Sequence, residues 1–262
     1  METVQIPSCS ADLAQRLADA ARSILQNYYR KPIPVDAKSD ASPVTQADRD
    51  AESAMRDILK RAAPDHGIVG EEFGSENADA EFVWVLDPLD GTRAFISGKP
   101  TFGTLIGLAH KGVPVLGVID MPILNERWVG GHGMATVLNG TPAHTRACAS
   151  LRQARIGTTS PEIFSDPERI EAFSGLRRHV LDCNYGGDCY GYGLLASGWL
   201  DIVMESTLQP YDFAAIAPVI AGAGGVMTDW AGQPLTLASN GDVLASGDPG
   251  LHGAALGAIT KS

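Results

Sequence analysis

Cysteine is scarce in this chain. Cys9, Cys148, Cys183 and Cys189 are the four among 262 residues, and they form no CxxC and no metal-type spacing with histidine. A disulfide framework and a zinc module are therefore excluded as organising devices, and the thiols read as buried or incidental. Long hydrophobic runs are also missing. No stretch reaches membrane-spanning length, and METVQIPSCS lacks both the basic and the apolar part of an export leader, so the expected setting is the cytoplasm with no membrane partner. Positive charge is the third shortage: 20 Lys and Arg stand against 31 Asp and Glu, a formal net charge of −11. Nucleic acid and anionic lipid are poor partners for such a surface. An anionic small molecule stays open, because carboxylates that hold divalent cations present positive charge locally.

With 44% hydrophobic residues, the chain is long enough for one large core or two fused halves. Its organising stretch is residues 82–102, FVWVLDPLDGTRAFISGKPTF. Residues 82–86 are an unbroken apolar run, read as a buried strand. It ends on Asp87, and Pro88, which lacks a ladder donor and restricts its predecessor, is expected to take the chain out of the sheet. Asp90, Gly91 and Thr92 then precede a helix-compatible Arg-Ala-Phe-Ile. Two carboxylates at a strand end, beside free backbone N–H groups, suit a hard cation and an anion together, the chemistry of a metal-held phosphate. The string is equally an ordinary turn with Asp90 as a cap.

Elsewhere each candidate residue has a structural explanation beside a chemical one. Residues 12–29 have helical spacing with Ser10 as cap, and 45–60 form a second helix on which Thr45 and Asp48 have capping-box spacing. Lys38 sits in a polar loop. Glu71 and Glu72 follow the apolar Ile68-Val69-Gly70, where acids commonly mark a strand leaving for solvent. A strand there beside residues 82–86 would bring Glu71 and Asp87 to one end of a sheet. Lys111-Gly112 marks a hairpin between apolar runs at 104–109 and 113–119, and 127–129 is a further strand. Gly130 to Gly133 read as a mobile turn, and the histidines as surface or packing residues. The second half alternates: strand 156–159, helix 167–173, strand 180–183, helix 189–197, strand 201–204. Asp188 stands as a cap and Glu205 as a charged strand end. Asp212 opens an apolar helix at 213–220, where the macrodipole favours an acid. Buried at that helix start without a partner, the same acid would be costly and a cation would relieve it. The halves divide at 1–148 and 149–262.

Four motifs in order, the Val-Thr-x-x-Asp ending at Asp48, Gly70-Glu-Glu72, Asp87-Pro-Leu-Asp-Gly-Thr92 and Tyr211-Asp-Phe-Ala-Ala215 with Gly224-Gly225, resemble the signatures of the inositol monophosphatase-like family of metal-dependent phosphatases. The continuations 95–104 and 112–120 look most like its histidinol-phosphate phosphatase branch. Tyrosine stands at 211 where many members have tryptophan. The resemblance implies an α+β fold, a layered α-β-α-β-α sandwich, usually a homodimer, acting on a small phosphorylated metabolite with two to three Mg2+ ions. It assigns Glu71, Asp87, the carbonyl of Leu89, Asp90 and Asp212 to the metal, with Glu72 as support. Thr92 and Asp48 would orient the attacking water, Gly91 and Thr92 N–H groups would cradle phosphate, Asp188 and Glu205 would face the alcohol, and Lys38 would be auxiliary. The expected reaction is hydrolysis of L-histidinol phosphate in histidine biosynthesis. An inositol, sugar or nucleotide monophosphatase and a non-catalytic metal- and phosphate-binding module are the alternatives. Other phosphate chemistries fit worse. Asp87-Pro-Leu-Asp90 has the wrong spacing for an Asp-x-Asp nucleophile, Gly98-Lys99 runs into Pro100 where a P-loop needs Ser or Thr, and no G-x-S-x-G is present.

Overall fold

A computed structural model describes residues 6–7, 9–32, 34–37 and 43–259. Helix α1 (Ser10–Tyr28) is followed by the short antiparallel pair β1 (Val35–Ala37) and β2 (Pro43–Thr45), then α2 (Gln46–Ala62). Strands β3 (Gly67–Gly70), β4 (Gly74–Glu76) and β5 (Phe82–Asp90) lead to the one-turn α3 (Thr92–Ile96). Strands β6 (Gly103–His110), β7 (Val113–Met121), β8 (Glu126–Gly131), β9 (Met134–Leu138) and β10 (Thr141–Pro142) complete an eight-stranded sheet of order β10-β9-β8-β7-β6-β5-β3-β4. The second half runs β11 (Arg155–Thr158), α4 (Pro167–Arg177), β12 (Asp182–Tyr185), α5 (Cys189–Ala196), β13 (Ile202–Glu205), α6 (Pro210–Phe213), α7 (Ile216–Gly222), β14 (Val226–Asp229), β15 (Val243–Ser246) and α8 (Pro249–Ile259). Its five-stranded sheet has the order β12-β11-β13-β15-β14.

Strand alternation sorts side chains into layers. On β6 and β7, Ile106, Leu108, Leu116 and Val118 face α1 and α2, while Leu105, Ile119 and Met121 face α5 and α7. On the second sheet Val203 and Ala245 meet those same helices, while Ile202, Met204 and Leu244 pack on α4 and α8. The result is an α+β sandwich of five layers, α-β-α-β-α. Among the described residues no helix is long and apolar enough to cross a membrane.

Two glycines set the spacing of the middle layer. A Cβ at Gly107 would lie 3.0 Å from the Ala214 carbonyl carbon, and one at Gly117 would overlap the carbonyl oxygen of Ala215. Only hydrogen at both positions lets the α6–α7 junction lie directly on the sheet, and that close approach carries Asp212 towards β5.

Several elements differ from expectation. β5 does not end at Asp87: it continues to Asp90 through an irregularity against β6 between these two acids, so Pro88 sits in a bulge. Ser10 is buried inside α1, whose N-cap is Cys9 without a side-chain bond. The helix expected at 213–220 is broken into α6 and α7, with Asp212 in the first turn of α6 accepting from Gln209 N–H at 2.7 Å. β12 lies two residues later than the apolar pattern placed it. Gly130 and Gly131 belong to β8 and not to a turn; a Cβ at Gly130 would crowd Thr136 and Val219.

Candidate active site

The parallel pairing of β3 with β5 aligns Gly70 with Leu86, and Glu71 N–H donates to Leu86 O at 3.1 Å. Glu71 and Asp87 therefore leave the same sheet end, where the Glu71 carboxylate is close enough for its charge to act on Asp87. The bulge turns Asp90 to the same side, and the α6–α7 approach supplies Asp212. Carboxylate oxygens of Asp87, Asp90 and Asp212 lie within 4.8 Å of one another. Asp87 Oδ1 also accepts from Leu89 N–H at 2.9 Å. Burial, and then the negative charges of Glu71, Asp90 and Asp212, hold the Asp87 carboxyl well above its usual range. An oxygen-only donor set in which neighbouring charges raise the proton affinity of Asp87 and Asp90 is the environment a hard divalent cation relieves, so the residues fit magnesium.

α2 brings the next group. Thr45 and Asp48 form the expected capping box: Thr45 Oγ1 accepts from Ala47 N–H at 3.1 Å and Asp48 Oδ2 accepts from Thr45 N–H at 2.9 Å. Asp48 is fully buried, and burial raises its pKa. The Thr92 hydroxyl lies 3.5 Å from Asp48 Oδ1 and 3.1 Å from Leu89 O, with one proton to give to either. Gly91 takes φ +80°, which suits glycine, and starts α3.

A cleft of about 490 Å³ has a wall that includes Asp188, Glu205, Tyr185, Tyr190 and Trp199. Asp188 does not cap α5. Asp90 takes that role, accepting from Cys189 N–H at 2.6 Å, while Asp188, at φ +44°, turns its carboxylate towards Gly91. Glu205, 3% exposed, accepts from Thr159 N–H at 2.7 Å. Burial pushes Asp188 up to about 7, helped by the charge of Asp90, and Glu205 up to about 8. Sequence reasoning missed the Thr101 and Thr158 hydroxyls, which line this cleft without a partner among the described residues. Nothing local distinguishes Thr101, in the loop before β6, or Thr158, at the end of β11, from ordinary threonines. Lys38 lies outside the described residues.

The sheet-end acids, the Asp48–Thr92 contact and the cleft thus come from stretches scattered along the chain between Asp48 and Asp212. Residues 7–262 match the profile of the inositol monophosphatase family. The chain belongs to that family. Its enzymes are phosphatases of small phosphorylated substrates that use divalent metals, typically Mg2+. The chain is 49% identical over 255 residues to the bifunctional phosphatase IMPL2 of Arabidopsis thaliana, covering 94% of this chain and 73% of that one. It is 35% identical to a histidinol-phosphatase of Chlorobaculum parvum, covering 89% and 91%. A solved inositol monophosphatase from Zymomonas mobilis superposes with a TM-score of 0.89 at 48% identity, covering 97% of this chain and 99% of the other.

α2 carries a further feature that the apolar face at 47, 51, 55, 58 and 59 concealed. Asp48, Glu52 and Arg56, spaced i, i+4 and i+8, form a buried charged stripe beside that face. The spacing was visible in the sequence.

Proposed function

We propose that this chain is a magnesium-dependent histidinol-phosphatase, hydrolysing L-histidinol phosphate to L-histidinol and phosphate. The observation that carries the substrate is the pair of cleft carboxylates, half-buried Asp188 and buried Glu205, the charge of the first disfavouring that of the second. A neutral polyol leaves that repulsion in place, whereas a cationic ammonium relieves it through charge-assisted hydrogen bonds. Identity to the Chlorobaculum parvum histidinol-phosphatase supports the same reading.

Glu71, Asp87, Leu89 O, Asp90 and Asp212 are assigned to two or three Mg2+ ions, which when bound neutralise the phosphate, acidify water and offset the charge of the departing oxygen. The chain's own part is positioning. Asp48 Oδ1 accepts a hydrogen bond from the Thr92 hydroxyl, so that a lone pair of Thr92 Oγ1 is left to accept from the attacking water and fix its direction. The Gly91 and Thr92 N–H groups, in the first turn that a helix leaves unsatisfied, are assigned to the phosphate oxygens. Asp188 and Glu205 hold the ammonium and imidazole of the alcohol, and the Thr101 and Thr158 hydroxyls complete its shell.

The second reading is an inositol monophosphatase, favoured by the 48% identity to the Zymomonas mobilis protein. Phosphate release from histidinol phosphate, inositol monophosphate and a phosphoadenosine nucleotide, measured side by side with Mg2+, separates these readings. Histidinol phosphate is expected to give the highest kcat/KM. A preference for inositol phosphate would replace this assignment with the second, and no release from any monoester would leave a binding module. A cytoplasmic homodimer belongs to the same proposal. The edge strand β12, with Leu181 exposed just before it, supports a surface for a second copy; a monomer in sedimentation velocity would remove it.

A further inference from the structure

Glu52 and Arg56 have no place in the chemistry above, yet both are buried, Glu52 completely and Arg56 to 4% exposure. Removing two charges from water is costly unless their remaining donors and acceptors are matched, and here they are matched by one short segment of backbone. Glu52 Oε2 accepts from Glu72 N–H at 2.7 Å, and Oε1 accepts from Phe73 N–H at 3.2 Å and from Arg56 Nε at 2.7 Å. Arg56 Nη2 donates to Gly74 O, and Nη1 donates to Glu76 Oε1 at 3.0 Å. The turn between β3 and β4 is therefore held at three successive residues, 72, 73 and 74, by two side chains one helical turn apart.

Gly70 completes the clamp. A Cβ there would overlap the Glu52 carboxylate and approach Arg56 Nη2 to 2.8 Å, so only glycine lets the pair pass beneath the strand end. Glu71 is caught between two fixed points: its own N–H on Leu86 O at 3.1 Å, and the next N–H on Glu52. Both points refer to elements that carry other site residues, β5 with Asp87 and Asp90, and α2 with Asp48.

We infer that Glu52 and Arg56 are positioning residues that fix the Glu71 carboxylate against Asp87, making α2 the common reference for the water-orienting Asp48 and the metal-facing Glu71. The inference rests on the assignment of Glu71 to the metal. Partners that orient ligating groups typically change metal affinity 10–100-fold when removed, whereas a residue that only stabilises the fold leaves the affinity of the folded protein alone.

The test is calorimetric titration of the full chain with Mg2+, comparing wild type, Glu52→Gln, Gly70→Ala and Met55→Ala. Glu52→Gln replaces one of the two acceptor oxygens with a donor. Gly70→Ala displaces the same carboxylate from the opposite side without removing a polar atom. Met55→Ala opens the core beneath the same helix and serves as the stability control. The dissociation constant is expected to rise tenfold or more in Glu52→Gln and Gly70→Ala and to stay within twofold in Met55→Ala. Wild-type affinity in a folded Glu52→Gln, or in Gly70→Ala should Glu52→Gln not fold, would overturn the inference while leaving the metal assignment standing. A wild-type chain that binds no Mg2+ would overturn the metal assignment and this inference with it.

Discussion

Thr92 Oγ1 stands 3.5 Å from Asp48 Oδ1 although the two residues are 44 positions apart. The contact exists because Asp48 is fixed at the start of α2 by its bonds to Thr45, leaving Oδ1 free to turn towards α3. Thr92→Ala removes the oxygen assigned to the water, and Asp48→Asn removes the proton acceptor behind it. Both are expected to lower kcat by about 10²-fold or more, in the range of a lost proton-transfer or positioning group, with little change in KM. Single-turnover rates with circular dichroism as a fold control provide the check. The double variant should lose no more than the worse single one, since the two act as a unit; additive losses would show independent roles.

Gly117 lies against the Ala215 backbone, which cannot yield as a side-chain tip can. Gly117→Val should therefore cost about 1–3 kcal/mol, the usual cost of overpacking. It should also push Asp212 away from Asp87 and so weaken Mg2+ binding. A lowered urea midpoint together with a raised Mg2+ requirement is the expected pair of results.

His252 is 5% exposed, with Nε2 2.9 Å from Thr228 Oγ1 and Nδ1 3.0 Å from Ser246 Oγ. Burial lowers its pKa below the ordinary 6.5. In the unfolded chain it takes up a proton near pH 6.5, while the folded chain resists until lower pH. Its stability contribution is thus present above pH 6.5 and lost as pH falls towards the folded value, at no more than about 1.4 kcal/mol per pH unit. Asp188 and Glu205, both raised, pull the other way by favouring the folded chain as pH falls, so the His252 part is read as a difference: between pH 7.5 and 5.5 the melting temperature of wild type should drop relative to that of His252→Gln. A constant gap between the two would contradict this assignment.

The site was more legible in the sequence than the fold around it. The apolar run at 82–86 announced a buried strand, and Ile68-Val69-Gly70 a second, because no position in either could face water cheaply. That was enough to bring Glu71 and Asp87 to one sheet end. The bulge at Pro88 is not legible in the sequence, because proline ordinarily ends a strand and residue pattern alone does not show that β6 continues to pair at Gly103. The break between α6 and α7 falls at Ala214–Ala215, the stretch that lies on Gly107 and Gly117, and Pro218, which has no N–H to give the Ala214 carbonyl, is its local mark. Asp188 looked like a helix cap from its position; the tertiary placement of Asp90 took that role and freed Asp188 to face the cleft. The charged stripe on α2 had a readable i, i+4, i+8 spacing, but an exposed helix face carries the same pattern, and only burial separates them.

Acids from β5, α6 and the turn after β3 are assigned to divalent cations at one point. Crystals soaked in Mn2+ and measured near the manganese absorption edge show whether they hold them. Anomalous peaks bounded by Glu71, Asp87, Asp90 and Asp212 are expected, absent after Asp90→Asn substitution. Manganese bound elsewhere, with these four carboxylates left bare at saturating metal, would contradict that assignment.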